Sequence, residues 1–88
     1  MLVRYFALLR NITGKQEESI EAKTVRELLD LLILKYGKSF EKEFFEQGKL
    51  KKGVNILRNG RNILHINQLD TELESSDVIS LFLPLAGG

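Results

Sequence analysis

One segment of this 88-residue chain carries a full set of helix signals, and it restricts the possible folds more than any other feature. Thr24 and Glu27 form a capping box, in which the threonine hydroxyl accepts from the Glu27 N–H while the glutamate side chain reaches back. Apolar residues then recur at helical spacing, and Gly37 can take the left-handed conformation that ends a helix. The sequence therefore predicts a helix over residues 25–36, whose apolar stripe must pack against another element.

Short stretches rich in aliphatic and aromatic residues flank this helix and predict strands. These strands cover residues 2–9, 16–20, 54–58, 62–66 and 77–83. Residues 11–14 predict a turn, the dipeptide Asn59-Gly60 suits a type I′ hairpin turn, residues 70–73 predict a turn or one helical turn, and residues 39–47 predict a second short helix. The order strand, strand, helix, strand, strand, strand indicates an α+β domain of two layers, a mixed sheet with the helix on one face.

The composition removes most sources of catalytic chemistry. The chain has no cysteine, which excludes disulfides, thiolate metal sites and cysteine nucleophiles. Its one histidine, His65, falls in a predicted edge strand without a partner nearby in sequence, and the acidic residues lack the spacing of metal ligands. We therefore expect no catalytic residue, no metal site and no cofactor bound by this chain.

Charge and hydropathy limit the partners. The formal net charge of +1 gives no electrostatic reason to expect nucleic acid or a membrane surface as a partner. The basic stretch over residues 49–52 is expected to be a solvated loop. No apolar run approaches the roughly 18 residues of a spanning helix, and the first residues do not have the arrangement of a signal peptide. The expected location is the cytoplasm.

The C-terminus carries the most unusual feature. The chain ends in Gly87-Gly88, directly after an apolar strand and Pro84. Proline cannot donate to a sheet ladder, so residues 84–88 are expected to form a tail beyond a folded domain of residues 1–83. Glycine accepts nearly any backbone geometry, which would let the tail enter a narrow channel in another protein. Once ATP converts the terminal carboxylate into an acyl adenylate, a sulfur or amine nucleophile can attack it.

The sequence thus indicates the Gly88 carboxylate as the candidate site of chemistry. The residues expected to present it, with Gly87 providing clearance, are Pro84, Leu85, Ala86 and Gly87.

Taken in order, several segments resemble the MoaD/ThiS family of ubiquitin-like sulfur carriers over essentially the whole chain. These segments are residues 5–10, 24–29, 54–60, 69–73, 77–79 and 82–88. The resemblance implies a ubiquitin-like β-grasp fold, with the first and last strands adjacent and parallel and the main helix packed across the sheet. The chain departs from the family at one point, because it has Phe82-Leu83-Pro84 where MoaD-like members commonly have Phe-Pro-Pro.

The resemblance also implies what the terminus does. In the family, a MoeB/ThiF-like adenylating enzyme, itself similar to ubiquitin-activating enzymes, uses ATP and magnesium to adenylate the last glycine, here Gly88. Sulfur transfer then makes a thiocarboxylate. MoaD-like members bind the large subunit of molybdopterin synthase and donate that sulfur to the pterin precursor. Other members donate sulfur to thiazole or tRNA, or are attached to lysines of target proteins.

The leading hypothesis is therefore a non-enzymatic sulfur carrier that acts in molybdopterin (molybdenum cofactor) biosynthesis. Two alternatives stay open. One is a ubiquitin-like protein modifier conjugated through Gly88 to target lysines. The other is a β-grasp binding module in which the terminal glycines are incidental. The departure at Leu83 weakens the case for a molybdopterin partner more than the case for activation of the terminus.

The implied pairing of the first and last strands predicts a second candidate site. Side-chain alternation places four apolar residues on the sheet face opposite the helix, where adjacent strands would merge them into one exposed patch with two arginines at its rim. These residues are Phe6, Leu8, Leu57, Phe82, Arg4 and Arg10. Large exposed apolar patches mark interaction sites, so we expect this patch to dock the activating enzyme.

Overall fold

In the computed structural model, which describes residues 1–84, the first strand pairs in parallel with the last. β1 (Leu2–Tyr5) also pairs antiparallel with β2 (Glu17–Ser19), and β7 (Val78–Phe82) pairs antiparallel with β5 (Asn55–Arg58). β6 (Arg61–Asn62) completes a five-stranded sheet in the order β2-β1-β7-β5-β6. The α+β class and the parallel pairing of the outermost strands in sequence are both confirmed.

Within residues 1–84, three α-helices and a small hairpin accompany the sheet. The helices are α1 (Leu8–Thr13), α2 (Val25–Tyr36) and α3 (Lys38–Phe44). The hairpin pairs β3 (Phe45–Glu46) with β4 (Lys49–Leu50). α2 has the bounds that the capping box predicts, because the Thr24 hydroxyl accepts from the Glu27 N–H at 3.2 Å. The Glu27 carboxylate reaches back to the Lys23 N–H at 3.3 Å.

The core lies between the inner face of the sheet and helices α2 and α3. Each large apolar side chain buried there stabilises the fold by about 1.5–3 kcal/mol. The fully buried residues are Val3, Tyr5, Leu9, Val25, Leu28, Leu29, Leu32, Phe40, Phe44, Ile56, Ile63, Ile79 and Leu81. They include the apolar residues of α2 that recur at helical spacing and, among the alternate residues 79, 81 and 83 expected to share one face of the last strand, Ile79 and Leu81, whereas Leu83 is only partly buried.

The predicted strand over residues 2–9 is wrong beyond Tyr5. Ala7 has a φ of 52°, a left-handed conformation that residues other than glycine seldom adopt, and it turns the chain from β1 into α1. Leu9 is fully buried all the same, as part of a helix rather than a strand. A short apolar run has the same pattern in a buried strand and a buried helix, so periodicity did not separate them. The turn predicted at residues 11–14 is the end of this helix.

The second predicted helix is also shorter than residues 39–47. It ends at Phe44, and the chain continues directly into the β3–β4 hairpin. Gln47 and Gly48 both have positive φ values, 52° and 78°, as the central residues of a type I′ turn require. A glutamine in that position is uncommon, which is why the sequence did not predict the hairpin.

The predicted strand over residues 62–66 is wrong as well, because β6 ends at Asn62. The Asn62 side chain accepts from the Leu64 N–H at 2.9 Å and so starts a 3₁₀ turn over Ile63–His65. His65 is therefore an exposed residue of that turn and not part of an edge strand. A second 3₁₀ turn covers Gln68–Asp70 and shares only Asp70 with the turn or helical turn predicted over residues 70–73.

The buried Asp77 carboxylate connects the β5–β6 turn to the start of β7. It accepts from Arg58 Nε at 2.8 Å, from Asn59 Nδ2 at 2.9 Å and from the Glu74 N–H at 2.7 Å. Burial raises the pKa of Asp77, but these donors outweigh it and lower the pKa overall. Asn59 Oδ1 in turn accepts from the Val78 N–H at 2.8 Å. These contacts fix the residue at which β7 begins.

The Glu18 carboxylate lies almost wholly buried between β2 and the end of α2, with its side chain 7% exposed. It accepts from the Tyr5 hydroxyl at 2.7 Å, from the Tyr36 hydroxyl and from the Lys35 ammonium group, and Lys15 Nζ lies 3.6 Å away. Burial raises its pKa, but these donors outweigh burial and hold the pKa at about 2. Burial and the contact with Glu18 raise the pKa of both tyrosines. Glu18 therefore joins β1, β2 and α2 as an ionised carboxylate.

This geometry predicts a pH-dependent contribution of Glu18 to stability. Because its pKa is lowered on folding, the contribution is complete above the ordinary value of 4.5 and is lost as the pH falls toward about 2. Over that range we expect the free energy of unfolding of the wild type to fall by on the order of 3 kcal/mol more than that of Glu18→Gln. Denaturant unfolding at a series of pH values measures the difference.

The neighbouring residue Glu17 supplies the control, since its side chain is 50% exposed. Glu17→Gln should keep the pH dependence of the wild type. If Glu18→Gln and Glu17→Gln gave the same profile, the assignment of this pH dependence to Glu18 would be wrong.

Candidate functional site

The outer face of the sheet is formed by the residues that alternate with the core residues of β1, β7 and β5. The register places Arg4 and Leu57 on either side of Ser80, and Asn55 opposite Phe82. Arg4 and Asn55 are exposed, whereas Leu57, Ser80 and Phe82 are half-buried. Phe82 of the last strand and Leu57 of β5, both predicted for the patch, thus lie on the same face of the sheet.

Phe6 and Phe82 form the apolar centre of this face. Phe6 directly follows β1, and the register of Tyr5 with Leu81 continues to place it beside Phe82. The two rings stack with their centroids 4.3 Å apart and their planes at 12°. Such pairs contribute about 0.5–1.5 kcal/mol beyond the area they bury. Both rings remain half-buried, so a partner could cover them further.

Two arginines flank the Phe6 ring. The guanidinium carbon of Arg4 lies 5.8 Å from the ring centroid, and that of Arg10 lies 5.5 Å from it. Arg10 is held there because its Nε donates to the Tyr5 carbonyl at 2.9 Å, and the Arg4 Nε lies 3.8 Å from the Glu17 Oε1. The structure therefore brings Phe6, Phe82, Arg4 and Arg10 together, an aromatic pair with a cationic rim.

The other two predicted members of the patch differ in their position. Leu57 lies on the outer face in β5, which β7 separates from β1. Leu8 lies in α1 and is 46% exposed, so the strand alternation that placed it on this face is wrong. Leu2 and Val78 are neighbours on the same face and half-buried, and the sequence analysis missed them. Extending the alternation to the start of both strands would have found them.

The tail begins where this face ends. Pairing in β7 ends at Phe82, before Pro84 as expected for a residue without an N–H, and Leu83 packs against the core. Pro84 is exposed and is the last residue described. The candidate site residues Leu85, Ala86, Gly87 and Gly88 lie outside the described residues. Their roles, and the division of the chain into residues 1–83 and a tail, stay predictions.

The described residues contain neither a metal-ligand cluster nor a membrane-spanning helix. Within residues 1–84, no group of three or more His, Cys, Asp or Glu side chains is arranged to hold a metal ion. None of the helices described there is long and apolar enough to cross a membrane. The outer face and the approach to the C-terminus remain the candidate sites predicted from the sequence.

Comparison with known proteins gives matches along the whole chain. The model of the ThiS family matches residues 3–88. Small archaeal modifier protein 3 of Haloferax volcanii is 33% identical over 89 residues, which cover 98% of this chain and 96% of that protein. A protein of Archaeoglobus fulgidus named "putative sulfur carrier protein" is 37% identical over 75 residues, which cover 85% of each chain.

Solved structures agree with these matches. Small archaeal modifier protein 1 from Methanosarcina acetivorans has a TM-score of 0.88 and 35% identity, with 99% of this chain and 94% of that one covered. A Pyrococcus furiosus protein described as "putative molybdopterin converting factor, subunit 1" has a TM-score of 0.76 and 34% identity, with 96% and 95% covered. The ubiquitin-like β-grasp fold expected from the sequence is confirmed.

Proposed function

The chain belongs to the ThiS family, and we propose that it is a sulfur carrier whose Gly88 carboxylate is adenylated and then converted to a thiocarboxylate. One observation supports this above the others: the family match extends to residue 88 and so includes the terminal Gly87-Gly88 pair. A MoeB/ThiF-like adenylating enzyme would use the ATP and magnesium, and this chain would supply only the terminus and the surface that the enzyme recognises.

The proposed chemistry uses the terminus alone. A Gly88 carboxylate oxygen attacks the α-phosphorus of ATP, and pyrophosphate leaves, which gives an acyl adenylate. Hydrosulfide, or a persulfide sulfur whose S–S bond a thiol then reduces, attacks the carbonyl carbon, and AMP leaves with the electron pair of the broken C–O bond. The product is a thiocarboxylate at Gly88. Because glycine has no Cβ, neither Gly87 nor Gly88 obstructs these attacks.

We propose the pterin precursor of molybdopterin as the sulfur acceptor and the large subunit of molybdopterin synthase as a partner. The 34% identity with a protein described as a molybdopterin converting factor subunit supports this choice. The departure at Leu83 is compatible with it, because the Leu83 side chain packs against the core of its own domain. The substitution of the family's proline therefore alters the interior more than the surface that a partner would contact.

A second function is favoured by two of the relatives. The proteins with 33% and 35% identity are both named small archaeal modifier proteins. If a lysine amine of a target protein attacked the activated Gly88 carbonyl instead of a sulfur nucleophile, the product would be an isopeptide bond. Both functions need the same activation, so they share the first step and differ in the nucleophile.

We propose that the adenylating enzyme docks on the outer face, around Phe6, Phe82, Arg4 and Arg10. Aromatic and arginine side chains are the residues most enriched among those that dominate binding energy at interfaces. This surface also lies on the strand that leads to the tail, since Phe82 precedes Pro84 by two residues. Docking here would hold the enzyme close to the point from which the terminus continues.

A charge placed in this surface should block activation. We expect Phe6→Asp to lower the rate of ATP–pyrophosphate exchange catalysed by the adenylating enzyme about 30-fold. This is the size of effect expected when a residue that dominates the binding energy of an interface is lost. Leu34→Asp is the matched control, because Leu34 is a leucine of α2 that is 84% exposed. A Phe6→Asp variant that is folded by NMR and is adenylated at the normal rate would contradict docking at this face.

The state of Gly88 in the cell distinguishes the candidate functions. Intact mass of the protein recovered from its own cells under mild, non-reducing conditions should show the gain produced by replacing one oxygen with sulfur, localised to Gly88. Removal of Gly88 should abolish that species. Larger species in which Gly88 is joined to lysines of other proteins would favour the modifier. An unmodified mass even after incubation with ATP, magnesium, the adenylating enzyme and sulfide would contradict both, and would favour a binding module with incidental glycines.

A further inference from the structure

Gly53 and Pro84 meet just beyond the last pair of the β5–β7 ladder. That ladder ends with Asn55 opposite Phe82, and continuing its register by two residues places Gly53 opposite Pro84. A Cβ atom at Gly53 would lie 2.9 Å from the Cβ atom of Pro84 and 3.5 Å from its Cγ atom. Opposite residues in a sheet normally have Cβ atoms about 4.5–5.5 Å apart. The proline ring thus occupies the space that any side chain at position 53 would need.

The loop that carries Gly53 is held in place on both sides. The Lys51 N–H donates to the Phe44 carbonyl at 2.7 Å, which fixes the loop to the end of α3. The Val54 N–H donates to the Lys51 carbonyl at 3.4 Å, and the Val54 side chain is buried. On the facing strand, Leu83 packs against the core. Pro84 therefore rests against a fixed backbone, and a side chain at position 53 could be accommodated only by displacing Pro84.

Backbone conformation alone does not distinguish Gly53 from the other turn glycines. Its φ of 87° favours glycine, but Gly60 has a φ of 84° and Gly48 a φ of 78°. A Cβ atom at either of those positions would have nothing within 4 Å, whereas one at Gly53 would collide with Pro84. Of these three glycines, Gly53 is the one that makes a close contact with the residue that begins the tail.

We propose that Gly53 is a positioning residue for activation of the C-terminus: it leaves room for the Pro84 ring and so fixes the point from which the last four residues continue. The inference rests on the function proposed above. The Gly88 carboxylate must reach the reacting atoms in the adenylating enzyme, and a misplacement of about 1 Å can cost about 100-fold in rate. Gly53 touches no reacting atom and acts only through Pro84.

The test compares Gly53→Ala with Gly60→Ala, which introduces the same side chain at nearly the same φ without the collision. We expect kcat for adenylation of Gly53→Ala to be about 10-fold below that of Gly60→Ala, with KM little changed because the docking surface is intact. Thermal unfolding should show a loss of stability in both variants, since both place a Cβ atom at a positive φ, and a further loss in Gly53→Ala from the collision with Pro84.

Removing the obstructing ring should rescue the defect. Pro84→Gly removes the ring atoms that lie 2.9 and 3.5 Å from the added Cβ and leaves the Cα atom, which lies 3.9 Å from it. Adding Gly53→Ala to Pro84→Gly should therefore change kcat less than 2-fold, against the roughly 10-fold effect in the wild-type background. Equal kcat values for Gly53→Ala and Gly60→Ala, or the same 10-fold loss in both backgrounds, would overturn the inference.

An NMR comparison keeps this inference separate from the proposed function. The wild type should show contacts between the Gly53 α-protons and the Pro84 ring protons, and Gly53→Ala but not Gly60→Ala should shift the Leu83 and Pro84 resonances. A wild-type chain that its ThiF-like enzyme does not adenylate would contradict the proposed function. The NMR result would still decide whether Gly53 contacts the Pro84 ring and sets its position. Absence of these contacts would overturn the positioning role on its own.

Discussion

The parallel pairing of β1 with β7 determines which side chains lie on the inner and outer faces of the sheet, because these two strands lie side by side near its middle. Inward, the pairing aligns buried side chains such as Val3 and Ile79 beneath the helices. Outward, the same register brings Phe6 against Phe82. A one-residue slip of a strand would exchange its two faces, so burial of the core also fixes the composition of the outer surface.

Two buried carboxylates stabilise this arrangement, one at the β2 edge of the sheet and one at the start of the central strand β7. Burial of an unpaired charge is costly, so a carboxylate inside a small domain holds its partners at defined positions. Glu18 is matched by two tyrosine hydroxyls and a lysine at the β2 edge, and Asp77 by an arginine, an asparagine and a backbone N–H where β7 begins. Among the described residues, no buried side-chain nitrogen or oxygen atom is left without a hydrogen-bond partner. The two clusters therefore position strands without weakening the core.

A carrier that is activated at its terminus needs no catalytic residues of its own, only a terminus and a surface that the activating enzyme can recognise. Phe82, which stacks on Phe6 within the arginine rim, is the last residue of β7, and Pro84 follows it two residues later. In the proposed function, the fold presents a docking surface and sets the starting point of the tail, while the activating enzyme supplies the chemistry. Gly53 would connect these two tasks, since it lies on the neighbouring loop against Pro84.

The sequence by itself determined the features that depend on neighbours along the chain: α2 with its cap at Thr24, the Asn59-Gly60 turn and the alternation in β7. Together with the resemblance, it also determined the family and the fold. Only the tertiary structure decided what depends on distant residues. The turn at Ala7, the burial of Glu18 beneath α2 and the contact of Gly53 with Pro84 have no local pattern, because their physical cause is the packing of segments that are far apart in the sequence.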